Sequence, residues 1–204
     1  MKYAAAAVTL LSAASGVLAA PSKVARTNTT VAAASTIPYL GFIFPNVLKN
    51  HDVNSNRNDD DVQTATVRNG GIETSTLYQL PIPDNTAGKT CALVVFAGRV
   101  GNGDNILGEQ AMDIFNNNID DLAALDEGNF RNQELARIRF NPATGLYDFD
   151  AVDVVPKIQE FPCPAGKTLE WESVAVGDFD INVIQQDFSF DGVHIPNGLT
   201  IAFY

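Results

Sequence analysis

Histidine and cysteine are scarce in this chain of 204 residues, and their scarcity excludes several kinds of site. The two histidines, His51 and His194, and the two cysteines, Cys91 and Cys163, are far apart in sequence. Zinc sites usually take closely spaced pairs of such ligands, so the spacing argues against zinc. A Ser-His-Asp triad would depend on one of these histidines, and no G-x-S-x-G motif accompanies them. We therefore expect neither a metal, a cofactor nor a catalytic residue.

Basic residues are also few, because 13 lysines and arginines stand against 24 aspartates and glutamates, a net charge of −11. An acidic chain repels nucleic acid and anionic lipid, so neither is an expected partner. Beyond the N-terminus the sequence has no apolar run long enough to span a bilayer. The composition therefore favours a protein without a membrane span.

The N-terminus has the pattern of a secretion signal. Residues 1–20 combine a basic second residue, an alanine-rich apolar run and a small-residue end, as signal peptides do. We therefore expect a secreted, extracellular protein, with the cell wall as one location. Residues 21–37 lack hydrophobic periodicity and are expected to form a disordered leader or pro-segment, which includes Asn28, a candidate N-glycosylation site. Residues 38–204 suit a single domain.

Strand patterns separated by turn residues dominate the rest of the chain. The stretch 72–80 places Ile, Thr, Thr, Tyr and Leu on one face, and Asn-Gly at 69–70 favours a hairpin before it. The run 91–97 is apolar throughout, as in a strand buried on both faces. These patterns predict an all-β fold, an antiparallel β-sandwich of about ten short strands. Residues 106–127 have spacing nearer to that of a helix, and at most one or two short helices are expected there.

Gly-Lys-Thr, a part of the phosphate-binding loop motif, occurs at 88–90 and again at 166–168. The full motif requires a glycine five positions earlier, where backbone N–H groups surround a phosphate. Those positions hold Pro83 and Phe161, and a strand pattern follows each fragment. We therefore interpret both fragments as turns that lead into strands, not as nucleotide sites.

The two cysteines lie close to these two fragments. Two cysteines in an oxidising compartment usually pair, so a disulfide between Cys91 and Cys163 is predicted. The bridge would close a loop of roughly 70 residues, for which the chain-entropy model gives about 4 kcal/mol of stabilisation.

Paired acidic residues are the remaining candidates for chemistry. Glycosidases use two carboxylates that flank the scissile bond, and three acidic pairs are spaced two apart on strand patterns. The alternative for each pair is the outward face of an alternating strand. The pairs are Asp148 with Asp150, Glu170 with Glu172, and Asp178 with Asp180.

A further acidic group, Asp59–Asp61, leaves two interpretations open. Calcium prefers clustered carboxylates and carbonyl oxygens, and loops of β-sandwiches often provide them. The sequence lacks the calcium-loop pattern, however, and a solvated loop is the alternative.

Aromatic residues could contact sugar rings. Trp171, the one tryptophan, alternates with acidic residues on its strand pattern, which favours a core position. Four tyrosines are further candidates, although nothing in the sequence groups them: Tyr39, Tyr78, Tyr147 and Tyr204.

The order of several phrases resembles a known family. YLGFIFPNVL at 39–48 is followed by LPIPDNTAGKTCALVVFAG at 80–98, FPCPAGKTLEWE at 161–172 and IPNGLTIAFY at 195–204. This order resembles fungal secreted proteins that carry the C-terminal domain of the But-type ubiquitin-three-binding protein family. The resemblance implies a secreted fungal β-sandwich and transfers no active site.

These observations lead to three expectations for function. The first is a secreted, non-catalytic binding module with an extracellular ligand, either a wall polysaccharide or a component of a host surface. The second is a secreted glycan-active hydrolase that uses surface carboxylates. The third, which the family name suggests, is a binding protein of a ubiquitin-like pathway.

Overall fold

The computed structural model describes residues 39–97, 104–106, 111–152, 154–177, 179–185, 188–190 and 193–204. For 179–183, 185, 188–190 and 193–195 it describes the backbone alone. The predicted signal peptide, the leader and Asn28 lie outside these residues.

The described residues form sixteen strands and one turn of 3-10 helix at Asp84–Thr86. More strands are present than the ten predicted, since several are only two or three residues long. The strands are β1 (Gly41–Ile43), β2 (Val47–Asp52), β3 (Arg57–Asn58), β4 (Thr64–Asn69), β5 (Thr74–Pro81), β6 (Thr90–Phe96), β7 (Asn105–Ile106), β8 (Ala111–Asn117), β9 (Arg131–Asn141), β10 (Leu146–Phe149), β11 (Phe161–Pro162), β12 (Thr168–Ala175), β13 (Phe179–Gln185), β14 (Phe188–Phe190), β15 (Val193–Ile195) and β16 (Gly198–Phe203).

One long antiparallel sheet holds most of the strands, in the order β1-β16-β6-β10-β9-β8-β12-β5-β4-β13-β7. The short strand β11 pairs with β6, and β2 pairs with both β3 and β5. Strands β14 and β15 pair with each other, antiparallel, as a separate two-stranded sheet. The predicted all-β antiparallel fold is therefore confirmed.

The sheet curls around one hydrophobic core. A single buried cluster contains Ile43 of β1 at one end of the strand order and Ile184 of β13 near the other. Strands so far apart in the sheet share a core only if its two halves face each other, as the layers of a sandwich do. Full burial of a side chain such as Ile201 contributes about 1.5–3 kcal/mol to this packing.

The sheet changes layer between β4 and β5. These strands are consecutive and antiparallel, but their ladder pairs only Arg68 with Thr74, and β4 continues along β13 instead. The Thr76 side chain bridges the gap: its Oγ1 accepts the Thr66 N–H at 3.0 Å and donates to the Thr66 carbonyl at 3.0 Å. A side chain thus replaces ladder bonds that β4 would otherwise lose.

Both Gly-Lys-Thr fragments are turns that lead into strands, as the sequence predicted. Gly88 and Gly166 have φ values of +77° and +75°, which favour glycine. Strand β6 begins at Thr90 and β12 at Thr168. A side chain at position 166 would also meet the Asp84 carboxylate at 2.6 Å, so this turn packs directly against the turn that precedes Gly88.

The C-terminal strand β16 is an interior strand of the sheet. Its residues pair with β1 on one side and with β6 on the other. Leu199 and Ile201 point into the core, whereas Gly198, Thr200 and Ala202 alternate with them on the outer face. The outer face of β16 therefore carries only small side chains.

Residues 106–127 form no α-helix in the part of that stretch that the structure describes. Ala111–Asn117 is strand β8, paired with β9 and β12. Residues 118–130, which we call the covering loop, return over the outer face of the sheet. Leu122 in this loop is buried against Val47 and Leu77, so its apolar spacing reflects contact with a sheet and not a helical period.

Candidate functional site

The predicted disulfide between Cys91 and Cys163 is present, and it joins residues 72 positions apart. It links β6 to the segment just after β11. The Cys163 N–H also donates to the Lys89 carbonyl at 3.0 Å. The bridge therefore fixes the region where the two Gly-Lys-Thr turns meet.

Glu172, one of the predicted carboxylate pair on β12, has a structural role. Its side chain is fully buried and forms an ion pair with Arg131, at 2.8 Å between Oε1 and Nη2. Asn117 and Asn129 each donate to the carboxylate at 3.1 Å. Burial is the largest influence and raises the pKa of Glu172, but the hydrogen bonds from Arg131 and Asn117 and the charge of Arg131 together outweigh burial and hold the pKa below its usual value.

Glu170, the other member of this pair, is only 9% exposed. Its Oε1 accepts a hydrogen bond from Gln79 Nε2 at 3.0 Å, whereas Oε2 is buried without a partner among the described residues. Burial raises the pKa of Glu170 to about 7, and the nearby charge of Asp121 in the covering loop adds to the effect. Both glutamates lie opposite Trp171 on β12, as predicted, but they are covered rather than solvated.

The second pair, Asp148 and Asp150, lies on the outer face of the sheet. Asp150 accepts a hydrogen bond from Arg139 at 3.1 Å, and Asp148 accepts one from Asn141 at 2.7 Å. These four side chains line an open depression of about 480 Å³ at the β9–β10 hairpin, which we call the polar groove.

The third predicted pair, Asp178 with Asp180, lies outside the described side chains. The same holds for the side chain of His194 in β15. His51 is buried, and its Nδ1 lies 2.7 Å from Asn58 Oδ1. Each residue of the acidic pairs and each histidine whose side chain is described therefore has a hydrogen-bonding partner.

The acidic stretch Asp59–Asp61 is divided between different environments. Asp61 Oδ1 accepts the Leu48 N–H at 3.0 Å, whereas Asp59 lines a separate polar depression with Arg68. In the described part of the chain, no three His, Cys, Asp or Glu side chains converge as metal ligands.

The predicted core position of Trp171 is confirmed. It is 3% exposed, and its ring lies 6.2 Å from that of Phe161. Tyr78 and Tyr147 are also buried in the same cluster. The Tyr78 hydroxyl lies 3.0 Å from Ser173 Oγ, and burial raises the pKa of Tyr78 to about 12. These three residues are structural.

The remaining tyrosines, Tyr39 and Tyr204, belong to a surface cluster of five rings that we call the aromatic face. The ring centroids of Tyr39 and Tyr204 are 6.2 Å apart, and that of Phe42 lies 5.5 Å from Tyr39. Phe42 in turn lies 6.5 Å from Phe44 and 5.6 Å from Phe96. The cluster joins residues from both ends of the described domain.

The register of β1, β16 and β6 explains this cluster. Phe42 of β1 is opposite Ala202 and Phe96 of β6 is opposite Gly198, so both side chains lie on the outer face, one on each side of β16. The outer face of β16 has small side chains, and its Thr200 and Ala202 are fully buried beneath the neighbours. The small side chains of β16 therefore leave room on the outer face for the rings of the two flanking strands.

Polar groups border the aromatic face on one side. Tyr204 and Thr90 exchange both backbone hydrogen bonds at 3.0 Å, which places Tyr204 beside a depression of about 380 Å³ lined by Lys89 and Glu160. The Glu160 carboxylate beside the Tyr204 hydroxyl raises the pKa of that hydroxyl to about 12. Tyr39 is 46% exposed at the opposite side of the cluster. Tyr39 is thus accessible, the other four rings are half-buried, and the Tyr204 hydroxyl stays neutral at physiological pH.

Sequence reasoning missed the aromatic face, although it named two of its members. Tyr39 and Phe42 are separated from Tyr204 by most of the chain, and only the pairing of β1 with β16 brings them together. Alternation along GFI and GLTIAF places each residue on a face, but it does not reveal which strands are neighbours.

Fold and surface together define a disulfide-bridged all-β domain with an aromatic patch on its outer face. No family model and no curated protein matches the chain. Within the described residues, no helix is long and apolar enough to cross a membrane.

Proposed function

We propose that this protein is an extracellular, non-catalytic binding module that attaches to a neutral polysaccharide, such as a wall glucan, through its aromatic face. One observation carries the proposal: five rings cluster on an outer sheet face where they cover small side chains. Contiguous apolar patches at a protein surface mark interaction sites. Aromatic rings also suit sugars, because the C–H face of a pyranose ring is apolar while its rim bears hydroxyls.

Charge supports a neutral ligand over an ionic one. The chain has a net charge of −11, so its overall electrostatic field repels anionic polymers. The five aromatic side chains carry no charge, and the depression beside Tyr204 is lined by one cation, Lys89, and one anion, Glu160. A neutral polymer meets no net electrostatic penalty at such a surface.

The hydrolase alternative receives less support from the same residues. A raised pKa such as that of Glu170 suits a general acid, but a general acid must reach the bond that it protonates. Glu170 is buried near the covering loop, and Glu172 is neutralised by Arg131. The ubiquitin-like alternative requires a cytosolic protein, whereas residues 1–20 predict secretion.

A retention assay with two single variants tests the proposal. Purified mature protein is mixed with microcrystalline cellulose, curdlan, chitin and, as an anionic comparison, pectate. We expect retention on at least one neutral polymer and a roughly fivefold weakening for Tyr39→Ala, the loss of about 1 kcal/mol of ring contact. Phe130→Ala is the matched control, since Phe130 is 56% exposed but lies on the covering loop.

Two outcomes would refute the proposal. Retention on pectate alone would show that charge, not ring contact, drives binding. Equal retention of Tyr39→Ala and Phe130→Ala on a neutral polymer would remove the aromatic face from the binding site. N-terminal sequencing of exported protein separately tests the extracellular part, which fails if residues 1–20 are retained.

A further inference from the structure

Beyond the aromatic face, the outer side of the same sheet continues toward the polar groove. Phe96 of β6 is directly opposite Leu146 of β10, and Leu146 is directly opposite Asn141 of β9. Their chain neighbours Val95, Tyr147 and Phe140 pack against the core, so these three residues share the outer face. The register therefore lines up a ring of the aromatic face, an apolar side chain and an amide of the polar groove.

The distance along this line suits a polymer. Strands β6 and β9 are separated by β10 alone, so about 10 Å of sheet lies between Phe96 and Asn141. At the aromatic end, the ring centroid of Phe42 lies 5.6 Å from that of Phe96, and the ring centroid of Tyr39 lies a further 5.5 Å from that of Phe42. A ligand that contacts both ends must therefore be a chain of several sugar rings and not a single sugar.

The chemistry of the polar groove suits hydroxyl groups. Each sugar hydroxyl both donates and accepts, and the groove offers donors from Arg139 and Asn141 beside acceptors on Asp148 and Asp150. These side chains are held in pairs, Arg139 with Asp150 and Asn141 with Asp148, so little further ordering is needed when a ligand binds. Arg139 is 47% exposed on its side chain, which leaves it accessible in the groove.

We infer that the aromatic face and the polar groove form one extended site, in which a neutral polysaccharide chain crosses strands β1, β16, β6, β10 and β9. The rings hold the chain by stacking, and the groove recognises its hydroxyls. The net charge of the groove, one arginine against two aspartates, disfavours acidic sugars. This inference rests on the proposed function and adds to it the path, the minimum length and the polarity of the ligand.

Oligosaccharides of increasing length test this path. Calorimetric titration of the purified protein uses cello- and laminari-oligosaccharides of three and six sugars. The extended site predicts tighter binding of the hexamer than of the trimer. Asn141→Ala and the shape-conserving Asp148→Asn should each weaken hexamer binding about fivefold, the value of one hydrogen bond near 1 kcal/mol, and leave trimer binding unchanged. Asn132→Ala, an exposed asparagine at the other end of β9, is the matched control.

The outcomes separate this inference from the proposed function. Tyr39→Ala should weaken both oligosaccharides if the aromatic face binds. If Tyr39→Ala does so while Asn141→Ala and Asp148→Asn behave as Asn132→Ala, the extended path is wrong and the proposed function stands. If no variant changes binding, or if no oligosaccharide binds, both are wrong. A dimer that Tyr39→Ala dissociates would instead identify the aromatic face as an interface between copies of this chain.

Discussion

Removing the charge of Glu170 should stabilise the protein above neutral pH. The carboxylate is nine-tenths buried, and its Oε2 has no partner among the described residues. Burial raises its pKa from the ordinary 4.5 to about 7. Because the pKa is higher in the folded state, stability is greatest below about pH 4.5 and is lost as pH rises through about 7.

The size of this loss follows from the two pKa values. At 1.36 kcal/mol for each pH unit between them, ionised Glu170 costs roughly 3 kcal/mol in the folded protein above pH 7. Glu170→Gln keeps an oxygen for Gln79 and cannot ionise, so its stability should change less between about pH 5 and about pH 8. Urea denaturation followed by fluorescence of the buried Trp171 measures both proteins.

A matched control makes the result specific to burial. Glu127→Gln removes an exposed carboxylate from the covering loop and should leave the wild-type pH dependence unchanged. If wild type and Glu170→Gln lose stability in parallel between about pH 5 and about pH 8, Glu170 does not titrate in that range. The description of Glu170 as a buried carboxylate with one oxygen unpaired among the described residues would then be incorrect.

Three further variants test the buried ion pair and the disulfide. Arg131→Ala leaves Glu172 buried without its cation and should lower the free energy of unfolding by about 3 kcal/mol. The double variant Arg131→Leu with Glu172→Leu should recover much of that lost free energy of unfolding in the same urea assay. Equal losses in the single and double variants would contradict this role. Cys91→Ala combined with Cys163→Ala opens a loop of 72 residues and should cost about 4 kcal/mol, which calorimetric unfolding checks; an unchanged midpoint would contradict it.

Features that depend on neighbouring residues could be predicted from the sequence. Proline and asparagine before Gly88, and proline before Gly166, identify turns, and the apolar residues that follow identify strands. Alternation around Trp171 correctly placed its ring in the core because the side-chain period of a strand is two. The disulfide followed from counting, since a chain with two cysteines has one possible pair.

Features that depend on strand order could not be predicted. Glu170 and Glu172 were expected on the outward face of a strand, and they do point away from the core. They are covered because the loop that carries Leu122 folds back onto β2 and β5, a contact between distant parts of the chain. The aromatic face has the same origin, because the pairing of β1 with β16 brings Tyr39 to Tyr204.

The most direct test of the account is a depletion isotherm of the purified mature protein on an insoluble neutral glucan, measured at low and at high salt. Stacking on uncharged rings predicts saturable binding whose Kd does not change with salt, because an uncharged polysaccharide forms no ion pair with the protein that salt could screen. Binding that disappears at high salt, or that does not saturate on any neutral polysaccharide, would contradict the claim that the aromatic face is a polysaccharide site.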